Sequence, residues 1–162
     1  NALVTERACR MGHECFAEQF IDGREFNLSV LAGAQGPHVL PPAEIRFDLP
    51  PGRKKIVDYR AKWDEESIEY QATKRSFDFE PSDAPLLESL KSLALQCWRL
   101  FELKGYARVD FRVDGEGNPF VLEINANPCI SPDSGFVAAA ERAGIPFREL
   151  VERIVADAAG GR

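Results

Sequence analysis

No stretch of the 162-residue chain approaches the roughly 20 consecutive apolar residues of a membrane-spanning helix. Positive charge is in the minority, with 20 basic residues against 26 acidic ones and a formal charge of −6. That argues against a nucleic-acid binder held by a broad basic surface. Histidine is scarce, only His13 and His38, and the four cysteines (Cys9, Cys15, Cys97, Cys129) form no C-x-x-C pair. Zinc and Cys/His or Ser/His/Asp nucleophiles are therefore not expected, and reduced thiols in a cytoplasmic protein are. No secretory signal precedes the fold, no glycine-rich phosphate loop appears in these residues, and no membrane partner is expected. An initiator methionine is missing too, and residues 1–16 begin without a clear cap. The expectation is a single domain, 1–162, cut from a longer protein whose N-terminal part is absent.

What is present reads as a globular α+β chain, 44% hydrophobic and 28% charged. A helix remnant ends near Gly12. "CFAEQFI" and "REFNLSVLA" read as two strands joined by the turn dipeptide Asp22-Gly23. The second half of "VLPPAEIRF" is a further short strand. Residues 48–62 are a Pro/Gly-led basic loop with Tyr59 to Trp63 docking back. Residues 67–79 are either irregular or a short strand. A long helix follows, capped by Ser82 or Asp83, with Leu86, Leu87, Leu90, Leu93, Ala94, Cys97, Trp98 and Phe101 on one face and Gly105 as its stop. Helices at 134–143 and 146–158 close the chain, stopped by Gly144 and Gly160.

Between them lies "ARVDFRVDGEGNPFVLEINANP", residues 107–128, a hairpin whose register period-two alternation fixes. Burying both apolar sets requires Phe111 to face Leu122 and Val109 to face Ile124. Asp110 then stands opposite Glu123, Arg108 opposite Asn125, and Gly115 to Asn118 form a four-residue loop. Opposed carboxylates repel, and a basic neighbour or a bound cation relieves that. Two carboxylates and an amide oxygen suit a hard cation such as magnesium. The other reading is a solvated charge ladder neutralised by Arg108 and Arg112. Past the strand, "NANPCISPDSG" leads into a helix capped by Ser134 or Asp133, a place where an anion is welcome.

"FAEQFIDGREFNLSVL", "DYRAKW", "GYARVDF", "FVLEINANP" and "SPDSGFVAAAERAGIPFRELVERIV" occur in the order and approximate spacing of the ATP-grasp enzymes. The chain resembles the C-terminal, ATP-binding part of the D-alanine–D-alanine ligase branch. That resemblance implies a largely antiparallel sheet with packed helices. It implies magnesium, or manganese in its place, on Asp110, Glu123 and Asn125, and ATP as cofactor. Glu18, Gln19 and Ile21 would hold adenine and Glu25 the ribose hydroxyls. Lys62 on a mobile loop would reach the phosphates, Arg108 would steady the phosphoryl group, and Ser134 would bind a substrate carboxylate. The reaction implied is amide formation from a carboxylate and an amine through an acyl phosphate, with small amino-acid or carboxylate substrates.

The substrate loop departs from the pattern. Cys129 stands where a glycine is common, Gly135 replaces a larger apolar residue, and Asp133 adds a negative charge suited to a substrate amine. A retained nucleotide half with a different acceptor pocket is therefore expected. Cys129 has no basic partner in sequence and is set aside as a nucleophile. An alternative is a non-catalytic nucleotide- or magnesium-binding module, or a degenerate partner subunit. The isolated fragment is expected to be inactive, and a homodimer is left open.

Overall fold

The structure, a computed structural model, describes residues 2–57, 59–64 and 66–160, with Trp63 described in its backbone alone. Its centre is a wholly antiparallel sheet in the order β4-β3-β1-β5-β6, formed by β4 (Thr73–Ser76), β3 (Ala43–Phe47), β1 (Arg24–Leu31), β5 (Tyr106–Val113) and β6 (Pro119–Asn125). A two-residue β2 (His38–Val39) pairs with β1 off this path. The helices are α1 (Ala2–Met11), α2 (Tyr59–Trp63), α3 (Ile68–Gln71), α4 (Ala84–Leu100), α5 (Gly135–Arg142) and α6 (Phe147–Gly160).

Alternation on β1 and β5 divides the sheet into two working faces. Phe26, Leu28 and Val30 of β1 join Ala107, Val109, Phe111 and Val113 of β5 in a buried core under Leu90, Ala94 and Trp98 of α4. The intervening residues point the other way. At one end Leu31 enters a second core with Leu40, Phe136, Val137, Ala140 and Leu150 beneath α5 and α6. The rest of that face is polar. β1 and β5 are thus buried on both sides, and their polar side chains stand on a rigid floor.

Three expectations are corrected. Residues 14–22 form no strand, so Asp22-Gly23 closes no hairpin. Gly23 serves a close approach instead: its φ is 149°, and a Cβ there would lie 1.9 Å from the Val113 carbonyl oxygen. Second, α4 ends at Leu100, not at Gly105. The Leu103 N–H bonds the Trp98 carbonyl and the Glu102 N–H the Arg99 carbonyl, with Glu102 at φ 49°. This closure normally recruits glycine, so glutamate gave no signal. Third, a bulge interrupts the hairpin beyond Asp110. Phe111 pairs with Val121, not Leu122, and Val113 with Pro119, so the turn spans 114–118. Asp114 organises it by accepting from the Glu116 and Asn118 backbone N–H groups.

The basic loop is shorter than its expected 48–62, because Tyr59–Trp63 is helical. Residues 67–79 divide into α3, capped by the Ser67 hydroxyl on the Tyr70 N–H, and β4. Asp83 precedes α4 but makes no capping bond; its carboxylate takes Arg24 instead. Among the described residues no helix is long and apolar enough to cross a membrane.

Candidate functional site

The polar face carries Glu25, Asn27 and Ser29 on β1, opposite Arg112, Asp110 and Arg108 on β5. On the other side of β5, Asp110 stands opposite Glu123 and Arg108 opposite Asn125, the pairing that the alternation predicts. Seven ionised or amide side chains therefore converge across three strands. Asn27 is one that sequence reasoning missed, since nothing local marks an asparagine as the neighbour of a residue 83 positions away.

Asp110 is nearly buried, at 5% exposure, and both its oxygens are engaged. Arg108 donates to them from Nε and Nη2 at 2.7 Å each, and Asn27 Nδ2 donates to Oδ1 at 2.9 Å. Burial works against the Arg108 cation, but the Asp110 carboxylate, helped by Glu123 and Glu25, more than restores it, and the guanidinium pKa lies above its ordinary value. Glu123 is exposed opposite Asp110, and Asn125 Oδ1 accepts from the Asn127 N–H at 2.9 Å. Among the described residues no group of three or more His, Cys, Asp and Glu side chains could hold a metal. The oxygen donors that the strands do align are two carboxylates and one amide. This set fits a cation that takes the rest of its shell from substrate phosphate and water.

Glu25 lies two residues from Asn27 on the same face, buried at 5% exposure. Desolvation pushes its carboxyl upward in pKa; Arg112 and, more weakly, Lys62 pull it back without cancelling the effect. Lys62 itself is exposed on α2. Glu18 and Gln19 are exposed on the irregular 14–22 segment, with Ile21 half-buried beside them. The loop that precedes α2 is tied down by an Arg53–Glu69 ion pair and by the Lys55 carbonyl accepting from Arg112.

At the far end of the face the loop 126–134 meets α5. Tyr106 Oη donates to Asn127 Oδ1 at 2.7 Å and its ring meets Phe136 edge-on at 5.4 Å, which anchors the loop start. Ser134 is the cap: its hydroxyl accepts from the Val137 N–H at 3.3 Å. Asp133 accepts from the Ser131 hydroxyl at 2.7 Å, which holds its pKa below the ordinary carboxylate value. The same hydroxyl lies 3.1 Å from Cys129 Sγ, and the thiol pKa is lowered by it. The small size of Gly135 is used: a Cβ there would lie 3.3–3.5 Å from the Arg75 guanidinium, which enters from β4. Desolvation and then Arg108 lower the Arg75 pKa, while Asp133 raises it.

An open cleft of about 1240 Å³ lies elsewhere, between the 33–38 turn, Trp98 and α6. Its lining includes none of the charged face, so chemistry rather than concavity locates the candidate site.

The family model described as the D-ala D-ala ligase C-terminus matches residues 2–156. The D-alanine–D-alanine ligase of Bordetella petrii is 32% identical over 155 residues, covering 94% of this chain and 44% of that protein. That of a Synechococcus strain is 36% identical over 153 residues, covering 93% and 42%. Among solved structures, a D-alanine–D-alanine ligase from Bacillus anthracis superposes with a TM-score of 0.66 at 30% identity, covering 88% of this chain and 41% of that one. A D-alanine–D-alanine ligase from Bacillus anthracis complexed with ATP gives 0.64 at 25% identity, covering 88% and 39%. The chain thus spans less than half the length of these relatives. With a sheet of matching architecture and a family match across nearly its whole length, the chain belongs to the D-alanine–D-alanine ligase C-terminal domain family, in the ATP-grasp superfamily.

Proposed function

We propose that the chain is the nucleotide- and magnesium-holding part of an ATP-dependent ligase that joins a carboxylate to an amine. The observation that carries this reading is the enforced opposition of Asp110 and Glu123, with Asn125 one step along the strand and Arg108 bonded to the buried carboxylate. Arg108 balances the buried Asp110 carboxylate, and the exposed Glu123 carboxylate opposite it, with the Asn125 amide one step along, offers further oxygen donors to a cation. Asp110, Glu123 and Asn125 would hold magnesium, which would supply neutralising charge to the phosphate groups.

The remaining roles belong to the chain's own side chains. Glu18, Gln19 and Ile21 receive adenine, and Glu25 the ribose hydroxyls. Lys62, exposed on α2 with its charge already reaching Glu25, is the cation for the phosphates. Arg108 faces the γ-phosphoryl group and supplies fixed positive charge as the acid oxygen attacks it. The attack breaks the bond between the β- and γ-phosphates, releases ADP and gives an acyl phosphate; the amine then attacks the acyl carbon, loses a proton and expels inorganic phosphate to form the amide. Ser134 and the first-turn N–H groups of α5 hold a substrate carboxylate. No nucleophilic side chain is needed, so Cys129 has no step. The acceptor pocket differs from one built for D-alanine, because Arg75 fills the space over Gly135 and Asp133 is held ionised by Ser131. The first substrate and the glycine-rich cover of the phosphates are supplied by a preceding part of the same protein.

The test is a thermal-shift titration of the full-length protein with Mg²⁺-ATP, beside an Asp110→Asn/Glu123→Gln variant. Binding to the folded state adds about 2.7 kcal/mol of stability at a hundredfold excess over Kd. The parent is expected to shift and the variant to stay at its own unliganded midpoint. An equal shift in both would remove the hairpin from the nucleotide site.

A further inference from the structure

Every donor of the Arg112 guanidinium is spoken for. Nε donates to the Ile21 carbonyl at 3.0 Å, and Nη2 to the same carbonyl at 2.8 Å and to that of Gly23 at 3.4 Å. Nη1 donates to Glu25 Oε2 at 3.1 Å and to the Lys55 carbonyl at 3.0 Å. A guanidinium has five N–H groups in a fixed fork, and five bonds leave it here. The Arg112 and Glu25 side chains are 5% and 6% exposed. The Phe20 ring lies 5.5 Å from the guanidinium carbon, and Lys54 Nζ lies 5.2 Å from the same ring.

The ion pair alone does not explain this arrangement. Neutralising Glu25 needs one cation, and a lysine would serve. The three carbonyls belong to two irregular segments, 20–23 and 53–57, and neither has a β-ladder of its own. Carbonyls outside any ladder take their donors from elsewhere. Here a single side chain on a central strand supplies them for both segments at once. It ties the segment after residue 14 to the basic loop that leads into α2 and Lys62.

We infer that Arg112 is a positioning residue for the nucleotide: a clasp that sets the gap between the base-and-ribose segment and the phosphate loop. The inference rests on the proposed ATP reading, in which Ile21 and Glu25 face the nucleoside and Lys62 faces the phosphates. It adds that affinity for the nucleotide depends on the shape of the Arg112 fork and not on its charge. Lysine at this position keeps the charge beside Glu25 but cannot bridge three carbonyls.

The experiment uses the full-length protein with Arg112→Lys and Arg112→Leu variants. Mg²⁺-ATP affinity is measured by calorimetry, melting temperature alongside, and hydrogen exchange is followed in residues 20–23 and 53–57. Neither lysine nor leucine can supply the charged hydrogen bonds that hold the two segments together. Both variants are therefore expected to bind Mg²⁺-ATP at least about tenfold more weakly. Exchange should rise in both segments together, and ATP should no longer protect 53–57. Arg112→Lys carries the test if Arg112→Leu does not fold. Binding by Arg112→Lys within about twofold of the parent overturns the inference while leaving the ATP reading intact. A loss of affinity matched only by a global fall in stability, with no local rise in exchange, overturns it too. Failure of the parent itself to bind Mg²⁺-ATP overturns the ATP reading and takes this inference with it.

Discussion

Replacing Asp110 by asparagine sets two effects against each other, and the structure decides which is larger. The substitution removes the repulsion with Glu123 across the strand. It also deprives Arg108 of a two-point partner held at 2.7 Å through both oxygens. Glu123 is exposed, so the relief is worth about 0.2–1 kcal/mol. The Arg108 and Asp110 side chains are 22% and 7% exposed, so their pair lies between a surface bridge and a buried one. Orphaning one partner of a fully buried pair costs about 3–5 kcal/mol. The residual exposure of Arg108 and the single oxygen that asparagine retains reduce this to about 2–3 kcal/mol. The net expectation is destabilisation by about 2 kcal/mol, read as a fall in the urea midpoint at unchanged slope. A double-mutant cycle with Arg108→Met isolates the pair, with an expected coupling of about 2 kcal/mol. If Asp110→Asn proves neutral or stabilising, the repulsion outweighs the pair and Arg108 is effectively solvated.

Ser134→Ala removes the hydroxyl that caps α5 and should cost about 1 kcal/mol in denaturant unfolding, together with a higher KM for the carboxylate substrate. An unchanged KM would leave Ser134 as a cap alone. Asp83→Asn should destabilise the fold at neutral pH, because Arg24 holds the Asp83 pKa below its ordinary value of 3.8. A depressed carboxylate contributes stability above its unfolded pKa and loses it as pH falls through the folded value. The difference in melting temperature between parent and Asp83→Asn should therefore be full at pH 6 and shrink steadily below about pH 4, which a pH series of thermal unfolding checks.

The parts of the fold that were legible in the sequence are those governed by strict alternation. Arg108, Asp110 and Arg112 alternate with Val109, Phe111 and Val113, so one face had to be apolar and the other charged. From that followed the opposition of Asp110 to Glu123. The bulge at Leu122 was not legible, since an alternating run is silent about where one strand gains a residue. The 14–22 segment was misread because strand-like residues there gave no hint that their carbonyls would be met by a side chain. Glu102 hid the end of α4 by taking a backbone conformation in which glycine is the usual marker. In the sequence Arg112 figures only, with Arg108, as a neutraliser in the solvated-ladder reading of the hairpin. Its partners at Ile21, Gly23 and Lys55 are backbone atoms far away in sequence, and no residue type announces them. Asn27 and Arg75 were hidden for the same reason: their importance lies in what folding brings beside them.

The extra residue at Leu122 divides the hairpin into two mechanically separate parts. Between the strand ends near Asn125 and the bulge, the register of Glu123 and Asn125 against β5 is set by Val109 and Ile124 in the core. Between the bulge and the 114–118 turn, register is set by the turn itself. A change of turn length is therefore taken up at Leu122, as slack is taken up at an expansion joint. The turn can lengthen or shorten over evolutionary time while the three oxygen-bearing side chains keep their alignment.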